Sequence, residues 1–159
     1  MTVNQTVQIS PSPNPGMITV SGYVTDFEAR DRYGGPEGGG WRQHIDRIVL
    51  AAAVDNSPDM VLLLNSEGPP LASTRAGSLT LLVDDTGLKI QAQVPASEAA
   101  RIRGGTLGYT FRVKREEWDG ALENRIIHEL SLDKGEIDIT SEAAARRLSE
   151  LVRQRDAGR

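Results

Sequence analysis

Two runs of strand-forming residues, 78–83 and 88–94, flank the tetrapeptide Asp84-Asp85-Thr86-Gly87. Asp and Thr favour turns through their own side-chain hydrogen bonds, and Gly closes a turn that other residues follow only with strain. The unit is therefore a β-hairpin, and a hairpin is stable only as part of a larger sheet. Sixteen Gly and eight Pro cut the rest of the chain into short segments, while two Trp, three Tyr and two Phe supply few large anchors. Short strands joined by many turns follow from that punctuation.

Residues 1–16 carry Pro11, Pro13 and Pro15 among Ser and Asn and read as an extended arm that no central strand could include. Residues 17–27 alternate around Ile18, Val20 and Val24, with Gly22 as a bulge or point of close approach, and form the first strand. Residues 30–40 hold five Gly and a Pro and read as a mobile surface loop. Between 41 and 54, Ile45, Ile48, Val49 and Ala52 recur at the three-and-four spacing of a helix, which Pro58 brings to an end. A buried strand over 60–64 then enters a turn at 65–70.

Downstream of the hairpin, residues 95–103 read as a short helix stopped at Gly104-Gly105. Over 106–114, Leu107, Tyr109, Phe111 and Val113 alternate with Thr106, Gly108, Thr110 and Arg112, so one face is core and the other small and polar. Segments 125–132 and 136–139 add two strands. Residues 140–155 form a helix capped by Thr140 or Ser141, whose stripe of Ala144, Leu148, Leu151 and Val152 is expected to dock on its own sheet.

A chain of 159 residues favours one domain, and 38% hydrophobic residues suffice to bury roughly 70% of the unfolded surface at this size. The net charge of −4 argues against a general grip on nucleic acid or anionic lipid. With no Cys and two His, disulfides, thiol nucleophiles and thiolate metal sites are excluded, and neither a metal nor a cofactor is expected. No apolar run has membrane-helix length and residues 1–10 are polar, so the expected place is the cytoplasm.

Five features in order carry a resemblance: Ser21-Gly22-Tyr23; Leu63-Leu64-Asn65; Arg75-Ala76-Gly77-Ser78-Leu79-Thr80-Leu81; Asp84-Asp85-Thr86-Gly87-Leu88; and a Gly-rich strand ending Phe111-Arg112-Val113 before Trp118. Their succession resembles the prohead (capsid maturation) protease family of tailed bacteriophages, over about 17–140. The resemblance implies an α+β, compact β-rich fold similar to the herpesvirus assemblin protease, mostly antiparallel, with flanking helices and a C-terminal helix. It divides the chain into a Pro-rich arm (1–16), the protease-like domain (17–140) and a C-terminal helix and tail (141–159). It also implies capsid or scaffold chains as partners, with a homo-oligomer as a further option and neither nucleic acid nor membrane. The setting it implies is the bacterial host cytoplasm and the virion.

Members of that family are expected to use a Ser nucleophile activated by a His base, since a hydroxyl attacks poorly until an imidazole takes its proton. Here the family's Asn-His position reads Asn65-Ser66. With Phe111-Arg112-Val113 and Trp118 as anchors the nucleophile falls on Gly108; with Gly104 and Gly108 matched instead it falls on Thr110. The resulting expectation is a pseudoprotease that has kept the fold. The alternative is a rearranged centre of Thr110 with His128, oriented by Glu129, although the parity of His128 with Ile126, Leu130 and Leu132 suggests a half-buried structural histidine. His44 reads as a cap or surface contact, Asp84 and Asp85 as turn residues, and Glu116, Glu117, Asp119 and Glu123 around Trp118 as a solvated hairpin tip.

Overall fold

The computed structural model describes residues 4–157. In chain order these form β1 (Gln8–Pro11), β2 (Met17–Asp26), β3 (Arg30–Arg32), β4 (Trp41–Ile45), α1 (Arg47–Asp55), β5 (Val61–Leu64), β6 (Glu67–Ser73) and β7 (Leu79–Val83). There follow β8 (Gly87–Pro95), α2 (Ala99–Ile102), β9 (Thr106–Tyr109), β10 (Arg112–Asp119), β11 (Asn124–Ser131), β12 (Glu136–Thr140) and α3 (Glu142–Ala157). The strands make three four-stranded sheets, ordered β1-β2-β8-β7, β10-β11-β4-β3 and β6-β5-β12-β9. All pairings are antiparallel except β11 with β4 and β12 with β5. The α+β, mostly antiparallel architecture expected from the sequence is the one observed.

One core joins the sheets, with Val20, Leu88, Ile90, Ala92, Leu62, Leu107, Ile137 and Ile139 all buried. The hairpin at 78–94 forms as expected, Leu79 facing Ala92 and Val83 facing Leu88. Gly22 is where sheets meet: a Cβ there would stand 2.8 Å from Leu107 Cδ1 and 3.3 Å from the Thr6 carbonyl oxygen. Only a residue without a side chain lets β2 approach β9 that closely.

Several segments depart from the expectation. Residues 41–45 are strand, held between β3 and β11, and the helix starts only at Arg47. A short window of Ile45, Ile48 and Val49 satisfies either period, and the open edge of β11 selects the strand. The helix buries Val49, Leu50 and Ala53, leaving Ala52 exposed and Ile48 77% exposed. Residues 30–32 of the presumed loop pair with β4, and 36–38 form a single 3-10 turn. The turn at 65–70 shrinks to Asn65-Ser66, because Pro69 and Pro70 belong to an edge strand, where a missing N–H costs nothing.

Residues 8–11 of the arm form an edge strand on β2. Just before them, Val7 is buried and its N–H donates to the Gly105 carbonyl. The segment 106–114 is two strands in two sheets, broken at Thr110-Phe111. His128 is exposed rather than half-buried: register shifts between β10 and β11 around Arg115 invert the parity, so Ile127 and Leu130 face inward. Among the described side chains of α3 only Ala144, in the first turn, is half-buried, and Leu148 and Leu151 remain 60% exposed. The stripe is therefore not docked on its own sheet; Val152 lies outside the described side chains.

β12 is an interior strand of its sheet, and Ile139 is fully buried within it. Ile139→Ala should lower the unfolding free energy by about 2–5 kcal/mol. Urea denaturation checks this; a loss well under 1 kcal/mol would contradict the packing described.

Candidate functional site

Asn65 and Ser66 join β5 to β6 with φ of 54° and 59°, two successive left-handed residues that are not Gly. Such a turn costs about 1–2 kcal/mol per residue and needs compensating bonds. Asn65 has them: its Oδ1 accepts from the Ser141 N–H at 2.9 Å, its Nδ2 donates to Ser141 Oγ at 3.1 Å, and its N–H donates to the Ile139 carbonyl at 2.8 Å. Ser141 Oγ also accepts from the Ala144 N–H at 3.1 Å, so Ser141, not Thr140, caps α3.

Ser66 is held by one carboxylate. Its N–H donates to Asp138 Oδ1 at 2.6 Å and its Oγ donates to Oδ2 at 2.9 Å. Asp138 lies in β12 between Ile137 and Ile139, both fully buried, so its own side chain leaves on the opposite face. Directly across the antiparallel ladder from Asp138 stands Gly108 of β9. Gly108 is flanked by buried Leu107 and by Tyr109, whose phenol is pushed up to about 12 by burial, and it faces outward with Asp138. A Cβ built on Gly108 would meet nothing within 4 Å.

Ser66 and Gly108 therefore converge on Asp138, at the edge of a cleft of about 380 Å³ whose other walls are Thr140, Ala144, Arg147, Leu148 and Leu151 of β12 and α3. Asp138 is the residue that sequence reasoning missed. Its signal was the alternation Glu136-Ile137-Asp138-Ile139, which puts one carboxylate in the middle of the polar face. Chemically the trio is a latch: both donors of Ser66 end on the carboxylate, and a carboxylate is a weaker proton acceptor than an imidazole.

The other expected residues lie elsewhere. The Thr110 N–H donates to the Glu136 carbonyl at 2.9 Å and its Oγ1 accepts from the Glu136 N–H at 2.8 Å, closing the exit from β9. His128 Nε2 faces Glu117 Oε1 at 3.7 Å, and Glu129 Oε1 faces Lys114 Nζ at 3.7 Å. Among the described residues no hydrogen bond joins Thr110, His128 and Glu129. His44 sits in β4, its Nε2 2.9 Å from Asn124 Oδ1, a side-chain contact and not a helix cap. Asp84 accepts from the Tyr23 hydroxyl at 2.6 Å and from the Thr86 and Gly87 N–H groups, and Asp85 pairs with Arg47, so both serve the hairpin turn. Among the described residues no group of three His, Cys, Asp or Glu is placed to hold a metal ion.

Compared with known families, residues 5–147 match the caudovirus prohead serine protease family. The chain belongs to that family. The resemblance carried by Ser21-Gly22-Tyr23, the Asn65 turn and the Asp84–Gly87 hairpin is thus shown, and the match extends beyond 17–140 into the arm and α3. No curated protein and no solved structure matches the chain. Among the described residues, no helix is long and apolar enough to cross a membrane.

If Asp138 is the latch, Asp138→Ala should cost about 1–3 kcal/mol and Ser66→Ala about 0.5–1.5 kcal/mol, because the second keeps the backbone bond. Chemical denaturation of the two variants gives the order; equal or negligible losses would contradict it.

Proposed function

We propose that this prohead protease relative keeps the fold of a capsid maturation protease but not the hydrolysis. In this reading it serves capsid assembly as a scaffold, cement or minor structural protein bound to capsid or scaffold chains. Its place is the bacterial host cytoplasm during assembly, and the virion if it is retained there. The observation that supports this reading is that Asp138 holds Ser66 in a cleft that, among the described residues, no imidazole lines, with Gly108 across the strand ladder from it. The chain has two histidines, and they lie in β4 and β11, adjacent strands of a different sheet. Loss of a triad member lowers rates by about four to six orders of magnitude, whereas the apolar faces that hold the fold are untouched by it.

The native protein, incubated with its cognate capsid and scaffold chains, should yield no cleavage by gel or mass spectrometry. Ser66→His with Gly108→Ser should introduce measurable cleavage. Histidine is among the residues that tolerate the left-handed turn, and a side chain at 108 enters open space. Cleavage by the native protein that disappears in Thr110→Ala or His128→Ala would overturn the reading in favour of a rearranged protease. A structural role further predicts the chain at stoichiometric copy number in purified particles.

A further inference from the structure

Two surfaces on this chain are complementary to each other and do not touch within one molecule. The first is the tip of the β10–β11 hairpin. Residues 116–123 hold Glu116, Glu117, Asp119 and Glu123 and no Lys or Arg. Glu116 is engaged by Arg125, whereas Asp119 and Glu123, among the described residues, have no ion-pair partner, and Glu117 has only the distant His128. At the turn, Gly120, Ala121 and Leu122 are all left-handed, with φ of 64°, 54° and 73°. Two non-Gly residues in that conformation are strained, and the result is a Leu122 side chain left 67% exposed between carboxylates.

The second surface is the cleft at Ser66 and Asp138. Its apolar wall is Ala144, Leu148 and Leu151. At Asn65 and Arg147 it adjoins another cleft of about 290 Å³, walled by Arg101, Arg103, Arg146 and Arg147. Arg101 is paired with Glu98 at 2.9 Å; among the described residues Arg103, Arg146 and Arg147 have no ion-pair partner. Glu142 is the one carboxylate lining the arginine cleft, and its side chain is stacked over Gly104. On a chain of net charge −4 this concentration of unpaired arginine is local, and it borders exposed leucines. Nothing from 116–123 lines either cleft of its own molecule.

We propose that the acidic hairpin tip of one copy docks in the arginine-walled cleft of the next, Leu122 against Leu148 and Leu151 and the tip carboxylates against Arg103, Arg146 and Arg147. The charges are opposite in sign and equal in number, Glu117, Asp119 and Glu123 against Arg103, Arg146 and Arg147, and an apolar knob meets an apolar wall at the centre, the layout of a specific interface with a polar rim. Because the two patches differ, the contact is heterologous: it propagates head to tail, closing into a ring or continuing as a filament. The proposal stands whether or not the cleft hydrolyses anything.

Sedimentation velocity over a concentration series, at low and at high salt, tests it. The native chain should self-associate at low salt and dissociate as salt screens the charges. The tip reversal Asp119→Lys with Glu123→Lys, and the cleft reversal Arg146→Glu with Arg147→Glu, should each weaken self-association by about tenfold or more. Mixed together, the two should associate again, since reversed tip meets reversed cleft and native tip meets native cleft. Leu122→Gly, which relieves the left-handed strain and so keeps the fold, should also associate about tenfold more weakly or worse. A native chain that is monomeric throughout would overturn the proposal. So would association unchanged by the tip variants, as isologous pairing of α3 would give, or a mixture that fails to associate.

Discussion

The site depends on the two-residue period of β12. Held between β5 on one side and β9 on the other, this five-residue strand must bury Ile137 and Ile139 in the shared core, and the pleat then sends Glu136, Asp138 and Thr140 to the other face. A shift of one residue would bury a carboxylate and expose two isoleucines, so register and hydrophobic burial enforce each other. The position of Asp138 is a consequence of that burial, and Ser66, Gly108 and the cleft take their places around it.

A second constraint is the switch of sheets at Thr110-Phe111. β9 pairs with β12 and β10 pairs with β11, so a segment that alternates without interruption in the sequence is divided between two sheets. Thr110 spends both its N–H and its hydroxyl on Glu136 at this corner. The hydroxyl that looked like a candidate nucleophile is thereby part of the joint. The same division carries His128 away with β11, toward Glu117 and away from the Asp138 cleft.

The cleft also shows how a helix end and a strand turn build one surface. α3 leaves β12 through the Ser141 cap, which Asn65 holds in place, and so runs beside the turn that carries Ser66. The helix thus supplies walls to the cleft without being buried by it, and leaves two leucines and several arginines on its rim. Shape and charge there rest on packing and capping.

The hairpin at 78–94, the alternation of β2 and β12, the cap of α3 and the family membership were all legible in the residues, because each is a local pattern: a turn between strands, a period of two, a short polar side chain before a helix, a run of motifs in order. The absence of a His at 66 and of a Ser at 108 is equally a fact of sequence. What residues 41–45 become was decided by tertiary structure, since a five-residue segment compatible with helix or strand takes whichever hydrogen-bond partner is open, and β11 offered one. The parity of His128, the exposure of Leu148 and Leu151, and the meeting of Ser66, Gly108 and Asp138 also required the fold. Each depends on contacts between segments far apart in the chain, which a local pattern does not encode.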